Sequence, residues 1–466
     1  MGNVFFSPKD GYLADVIPFS RGNELALFYL HDWREFRPSG IPAEGTAWRL
    51  LKTSDLFSFE EVGEAIPQGN PKTQDYYAFT GCVIRARDGY MIFYTGHNPY
   101  LTDTPKEAIL RAWSADLVHW EKDESFYLAA PKGYEPDDFR DPFVWYDEEN
   151  NIYNMLLAAR IGKGKRDGIT ALAQSKDLDT WEFKEPIYSP NAYYTHECPD
   201  YFNLDGNQYL LFSEFTDRRV TQYRVYDGAW RFPVEGDGQL DGRAYYAAKT
   251  ALLNGKRYAF GWVPTKEGCN DAAPWQWGGT LVAHELRKGI GNNLECHFPS
   301  ILNSRFNRKI LSIPEITIGK PGDLTIQSLQ SALPESCLIS ADICVDEQTR
   351  ETGFALRNDD CLDFRYTYTF DVYTGMLEFK PLPQKEWAYA DFVGVSRKAS
   401  LIPGKTRHVD IVVDGDVCVL YSEGIALSSR MNQNAARGLA VISLDGTTTF
   451  KNVTVTSMEE LDETHH

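Results

Sequence analysis

No apolar run in this 466-residue chain approaches the roughly 18 residues of a membrane-spanning helix. Basic residues are in deficit: 47 Lys and Arg stand against 66 Asp and Glu, a net charge of −19. That balance argues against nucleic acid and anionic membranes as partners. Cysteine is scarce, with 8 residues, no Cys-x-x-Cys and no regular spacing. A disulfide framework and a thiolate zinc site are therefore not expected, and buried thiols in a reducing compartment are. The opening Met1-Gly2-Asn3-Val4-Phe5-Phe6 has neither the basic nor the long apolar region of a secretory signal, nor a Ser or Thr for myristoylation, so a cytoplasmic location is the expectation. There the formal sequon Asn452-Val453-Thr454 carries no meaning. His-Glu-x-x-His is missing, and the basic, Gly-rich stretch 162–168 fits neither dinucleotide nor P-loop spacing. No metal or cofactor is expected, and that stretch reads as a hairpin tip. Nothing in the sequence sets an oligomeric state.

Long helical periodicity is also wanting. In its place the chain is 14% aromatic, with Gly and Pro every ten or so positions, the texture of many short strands joined by turns. An all-β architecture follows. Thr53-Ser54-Asp55-Leu56-Phe57-Ser58-Phe59-Glu60 recurs as Ser114-Ala115-Asp116-Leu117-Val118-His119-Trp120-Glu121 and as Ser175-Lys176-Asp177-Leu178-Asp179-Thr180-Trp181-Glu182, each copy 61 residues after the last. A fixed period with the same turn and aromatic marks repeated β-sheet units such as propeller blades.

Three acidic motifs fall at a matching phase of the repeat. Asp15 lies in Tyr12-Leu13-Ala14-Asp15-Val16-Ile17-Pro18, Asp141 in Phe139-Arg140-Asp141-Pro142, and Glu197 in His196-Glu197-Cys198-Pro199-Asp200. Each carboxylate has apolar or aromatic neighbours that a strand would bury, a setting carboxylates enter only when paired or used chemically. Two carboxyls across a bond, one protonated and one ionised, are the minimum for cleaving a glycoside. With Asp15, Phe79-Thr80-Gly81, Asp141, Glu197 and Tyr246-Ala247-Ala248 each on the first strand of a blade, the count is five blades. Residues 1–300 are thus expected to form a five-bladed β-propeller with its carboxylates converging on the axis. Residues 301–466 are expected to form a C-terminal β-sandwich. There Phe364, Tyr366, Tyr368, Phe370 and Val372 alternate with polar residues, a strand with one buried face, and Asp414-Gly415-Asp416 reads as a hairpin turn.

At these motifs the chain resembles glycoside hydrolase family 32, the invertase and fructan-hydrolase family. Phe139-Arg140-Asp141-Pro142 and Glu197-Cys198-Pro199-Asp200 are similar to its two most diagnostic motifs. Phe79-Thr80-Gly81, Phe93-Tyr94-Thr95-Gly96, Tyr246-Ala247-Ala248-Lys249, Gly261-Trp262 and Trp277-Gly278-Gly279 follow in the family's order, and 417–430 resembles its sandwich strands. The resemblance implies a retaining β-fructofuranosidase acting on sucrose, short fructo-oligosaccharides or related fructosides without a metal. It gives Asp15 as nucleophile, Glu197 as acid/base and Asp141 as transition-state stabiliser. An inverting arabinofuranosidase or xylosidase, a fructosyltransferase and a catalytically silent carbohydrate-binding propeller are the alternatives.

For the acid role Glu197 must carry a proton, which neighbouring carboxylates and an aromatic wall including Tyr193, Tyr194 and Tyr201 would favour. Asp141, beside Arg140, is expected to stay ionised. The first motif departs from the family's Trp-Met-Asn-Asp-Pro-Asn-Gly, with Ala14 where an amide would grip the sugar. Arg140, Phe79, Thr80, Trp33, Trp48, Tyr246 and Trp277 are the substrate-binding candidates. For Trp33, Trp48, Trp275 and Trp277 the choice is between sugar platform and packing between blades. His31, Asp32, Arg49, His97 and Asn98 read as solvated loop residues, and Cys198 as a small core residue.

Overall fold

The computed structural model describes residues 3–458 apart from 40–43, 217, 360–361, 363–364, 383–394 and 434–435. Its first part is a five-bladed β-propeller of antiparallel sheets. The inner strands are Tyr12–Ser20, Tyr77–Ala86, Phe139–Asp147, His196–Leu204 and Tyr246–Leu253, one per blade. Each packs beside the next, and the fifth returns to the first. Blades 2, 3 and 4 are separate four-stranded sheets, whereas blades 1 and 5 merge into one eight-stranded sheet. The join is the blade 5 strand Trp275–Lys288, which meets blade 1 at Leu13 opposite Gly279, while Phe6 bridges to Leu281. Closure thus ties the start of the chain to the last blade, and it leaves no exposed inner edge.

The repeated octapeptide is the turn leaving each third strand. In blade 2, Ser114 Oγ accepts from the Leu117 N–H at 2.9 Å, and Asp116 Oδ1 accepts from the N–H groups of Val118 and His119, both at 2.8 Å. Thr53–Asp55 and Ser175–Asp177 do the same in blades 1 and 3. The turn puts Leu56, Leu117 and Leu178 at φ +57°, +71° and +69°, a region that costs non-glycine residues energy. Burial of all three leucines compensates. In blades 2 and 3 the indole N–H of Trp120 or Trp181 also holds the leucine carbonyl.

Two six-stranded sheets spanning 308–457 form the sandwich, with a core of residues such as Ile339, Tyr368, Leu420 and Phe450 between them. In the alternating strand Arg365–Asp371, Tyr366, Tyr368 and Phe370 point into that core, while Phe364 lies outside the described residues. The other face is not open as expected. Thr367 and Thr369 are also buried, because the strand is interior to its sheet and their cross-strand partners Lys380 and Glu378 form an ion pair alongside. Asp414-Gly415-Asp416 does turn a tight hairpin, Asp414 pairing with Val417. Residues 162–168 connect two strands of blade 3 as a hairpin tip. The sandwich also shares a core with the propeller, since Val412, Val417, Val419 and Tyr421 pack into the propeller cluster.

Candidate active site

All five inner strands are irregular at one height. Register slips occur between Leu13 and Val16, Phe79 and Gly81, Glu197 and Asp200, and Tyr246 and Lys249, and in blade 3 opposite Arg140–Phe143. Asp141, Cys198 and Ala247 sit there at φ +58°, +51° and +54°. A bulge inserts a residue and re-aims its side chain, which breaks the strict alternation that would send neighbouring side chains to opposite faces. The cost, of order 1–3 kcal/mol for each such residue, persists only where surroundings fix it. Around Asp141 they do, with its N–H donating to Thr95 Oγ1 at 2.8 Å.

Asp15, Asp141 and Glu197 therefore open onto one pocket of about 440 Å³. Asp15 lies deep in it, with Oδ2 accepting from Thr80 Oγ1 at 2.5 Å and Oδ1 from Trp262 Nε1 at 3.0 Å. Burial raises its pKa above the usual carboxylate value despite those two donors. Glu197 accepts from an Arg140 guanidinium N–H at 2.9 Å through Oε1 and from the Tyr246 hydroxyl at 2.6 Å through Oε2. Asp141 is 3% exposed, and its Oδ2 accepts from the Cys198 N–H at 2.8 Å.

Two expectations about these acids need correcting. Asp141 does not behave as an ordinary ionised partner of Arg140. Its Oδ2 is 4.0 Å from Arg140 Nε, while the NH groups of that guanidinium go to Glu107, Asp138 and Glu197. Burial outweighs the distant charge and pushes the Asp141 pKa up to about 7. Nor do the three tyrosines wall Glu197. Tyr193 packs on His196 and Phe212 of its own blade, while Tyr194 lies under Arg160 and Tyr201 against Trp145, both of blade 3.

Of the substrate-binding candidates, Arg140, Phe79, Tyr246 and Trp277 line the pocket, as does Trp275. Thr80 is fully buried and holds Asp15 rather than facing the cavity. Trp48 is a correction: at 0% exposure it belongs to the core between blades, out of reach of any sugar. Trp33 is outside the pocket lining, packed edge-on against His31 with Arg49 over its ring. Among the presumed loop residues, His31 is buried against the Asp10 carbonyl. Asn98 is buried too, its amide donating to the carbonyls of Pro71 and Thr73. His97 stacks on Phe79 at 4.6 Å and braces that ring. Cys198 is buried, its thiol pKa driven up by burial, and its contribution is the backbone N–H.

Pocket-wall residues that sequence reasoning left unassigned include Trp262, Arg219, Arg243 and Gln276. Gly261-Trp262 stood out as a motif without a role. The two arginines sit in loops with no local signal.

The model for the N-terminal domain of glycosyl hydrolases family 32 matches residues 5–287. This chain belongs to that family. Among its relatives is sucrose-6-phosphate hydrolase of Zymomonas mobilis subsp. mobilis, 27% identical over 62% of this chain and 60% of that protein. Another is sucrose-6-phosphate hydrolase of Vibrio alginolyticus, 26% identical over 90% of this chain and 83% of that one. The match to the first of these thus spans about 60% of its length. Fructan 1-exohydrolase IIa from Cichorium intybus has the same family fold, with a TM-score of 0.78 at 16% identity over 99% of this chain and 97% of its own.

Proposed function

We propose that this family 32 chain is a retaining β-fructosidase, releasing fructofuranosyl units from sucrose, short fructo-oligosaccharides or related fructosides. The observation carrying the reading is that carboxyls from blades 1, 3 and 4 face one pocket, each held by different donors. In the first step Asp15 attacks the anomeric C2 while Glu197 gives its proton to the departing glycosidic oxygen. The C2–O bond breaks, and an ester joins C2 to Asp15. In the second, Glu197 takes a proton from water, whose oxygen attacks C2 and frees Asp15, so that configuration is retained. Thr80 and Trp262 aim the nucleophile. Arg140 and Tyr246 hold the acid/base in place. Asp141, with one oxygen fixed by Cys198, offers the other to sugar hydroxyls as charge develops on the ring.

A phosphorylated leaving group is a second reading, favoured by Arg219 and Arg243 in the pocket wall. Each lies on an aromatic ring, Phe215 at 5.0 Å and Trp275 at 5.4 Å respectively. Both relatives named above are sucrose-6-phosphate hydrolases.

The test is fructose release from sucrose, sucrose 6-phosphate, 1-kestose, inulin and levan, with the released anomer followed by NMR. Asp15→Ala and Glu197→Ala are each expected to lower kcat by several orders of magnitude without unfolding the protein. An inverted product would remove the covalent role of Asp15. Fructose transfer at high sucrose would identify a transferase. Sugar binding without turnover in the wild type, unaltered by Glu197→Gln, would mark a silent binding module.

A further inference from the structure

One wall of the pocket comes from outside the inner strands. The blade 5 hairpin formed by Lys256–Lys266 and Trp275–Lys288 overhangs its sheet, and its end supplies Pro264, Trp275, Gln276 and Trp277 to the cavity. Its connecting turn places Gly268 at φ +60° and Cys269 at φ +51°. A hairpin end beyond its sheet has little ladder support, so holding it in one conformation requires contacts from elsewhere.

Two sets of contacts do this from opposite sides. From blade 1, the Arg34 NH1 group donates to Thr265 Oγ1 at 2.7 Å and to Gln276 Oε1 at 2.9 Å, and its NH2 group to the Trp277 carbonyl at 2.5 Å. Arg34 Nε is held by Asp32 at 2.7 Å, and the guanidinium lies over the Tyr12 ring at 3.9 Å. The backbone of Arg34 is at φ +38°, unusual for any residue but glycine. From the sandwich, Tyr366 donates to Asp271 Oδ2 at 2.6 Å and Asn432 to its Oδ1 at 2.7 Å. Arg430 adds Nε to the Pro264 carbonyl at 2.9 Å and NH2 to the Val263 carbonyl at 3.0 Å. Arg34, Tyr366 and Asn432 stand outside the pocket lining.

We propose that Arg34 on one side, and Asp271 with Tyr366 and Asn432 on the other, are positioning residues that set the wall of the leaving-group subsite. The sandwich then tunes which fructoside is accepted without touching it. This rests on the hydrolase reading above. Asp15 and Asp141 lie deep in the pocket while Trp277, 39% exposed, is at its rim, so the sugar attached to the reacting ring meets the hairpin end. Because Arg34 occupies Gln276 Oε1, the amide N–H groups are what Gln276 offers that sugar. A wall fixed before binding lowers the ordering cost of the complex, so releasing it weakens binding more than it slows chemistry.

The experiment compares Arg34→Ala, Arg34→Lys, Tyr366→Phe and Asn432→Ala with wild type on sucrose and 1-kestose, and follows hydrogen exchange of backbone amides 265–277. Expected for Arg34→Ala and Asn432→Ala is a KM raised about tenfold, and by different factors for the two substrates. kcat should stay within about threefold, and Arg34→Lys should recover part of the effect. Exchange at 265–277 should quicken while the inner strands keep their protection. Unchanged KM for both sugars, an equal fall of kcat on both, or wild-type exchange at the hairpin end would overturn the proposal, whatever happens to Tm. If the wild type releases fructose from neither sugar, the hydrolase reading fails, and the exchange rates still decide the clamp.

Discussion

Asp141, proposed above to steady charge on the sugar ring, is costly for folding. Its pKa rises from 3.8 to about 7 because it is buried, so the folded protein holds this proton more tightly than the unfolded chain does. The sign follows from proton counting: between those values the native state binds more protons, and stability falls as pH rises through the interval. Asp141→Asn, which keeps shape and stays neutral, should therefore abolish most activity yet raise Tm by a few degrees at pH 8, with the gain shrinking as pH falls and vanishing only below about pH 4. Thermal melts of the two proteins across that range check this. A variant less stable than wild type at pH 8 would mean that Arg140 compensates the buried charge after all. The motif Phe139-Arg140-Asp141-Pro142 was visible in the sequence, but the distance of Arg140 was not, since the guanidinium chose Glu107, Asp138 and Glu197.

At the scale of elements, the 61-residue repeat was legible because a turn with leucine at positive φ needs specific chemistry: a Ser or Thr hydroxyl and an Asp carboxylate for the free N–H groups. Asp116→Ala removes the acceptor for the N–H groups of Val118 and His119. The expected loss is about 1–2 kcal/mol, read as a lower Tm or denaturant midpoint with kcat and KM unchanged. The bulges were not legible. Alternation predicts side chains two apart on one face, and only the pairing with a neighbouring strand reveals the slip between Glu197 and Asp200 that turns the acid into the pocket. The same blindness put Trp48 among sugar platforms, for a tryptophan on a third strand looks alike in sequence whether it faces a cavity or the next blade.

The whole molecule is held by buried polar contacts between propeller and sandwich. His284 joins Asp241 at 2.9 Å and the Tyr421 hydroxyl at 3.0 Å, and Ser428 donates to Asp241 through both its N–H and hydroxyl. The His284 and Ser428 contacts hold the Asp241 pKa below the usual value against its burial, and hydrogen bonds from Ser300 bring Glu285 down to about 2. Groups with depressed folded pKa give stability that is complete above the ordinary carboxylate range and is lost as pH falls through the folded value. Unfolding should accordingly become easier below about pH 4. His284→Leu leaves Asp241 buried without its partner and should cost about 3–5 kcal/mol at pH 7, measured by denaturant unfolding. A smaller loss would show that Ser428 and the Gly242 N–H satisfy the carboxylate without the imidazole.

The sequence by itself determined the strand texture, the blade repeat and the three acids, because turns, strand patterning and buried charge each impose local chemical requirements. Only the tertiary structure decided which donors each acid meets, which tryptophans reach the cavity and how the sandwich grips a pocket wall. Those outcomes depend on contacts between residues up to hundreds of positions apart, such as Trp262 with Asp15 or Asn432 with Asp271, and no local pattern encodes a distance across the fold.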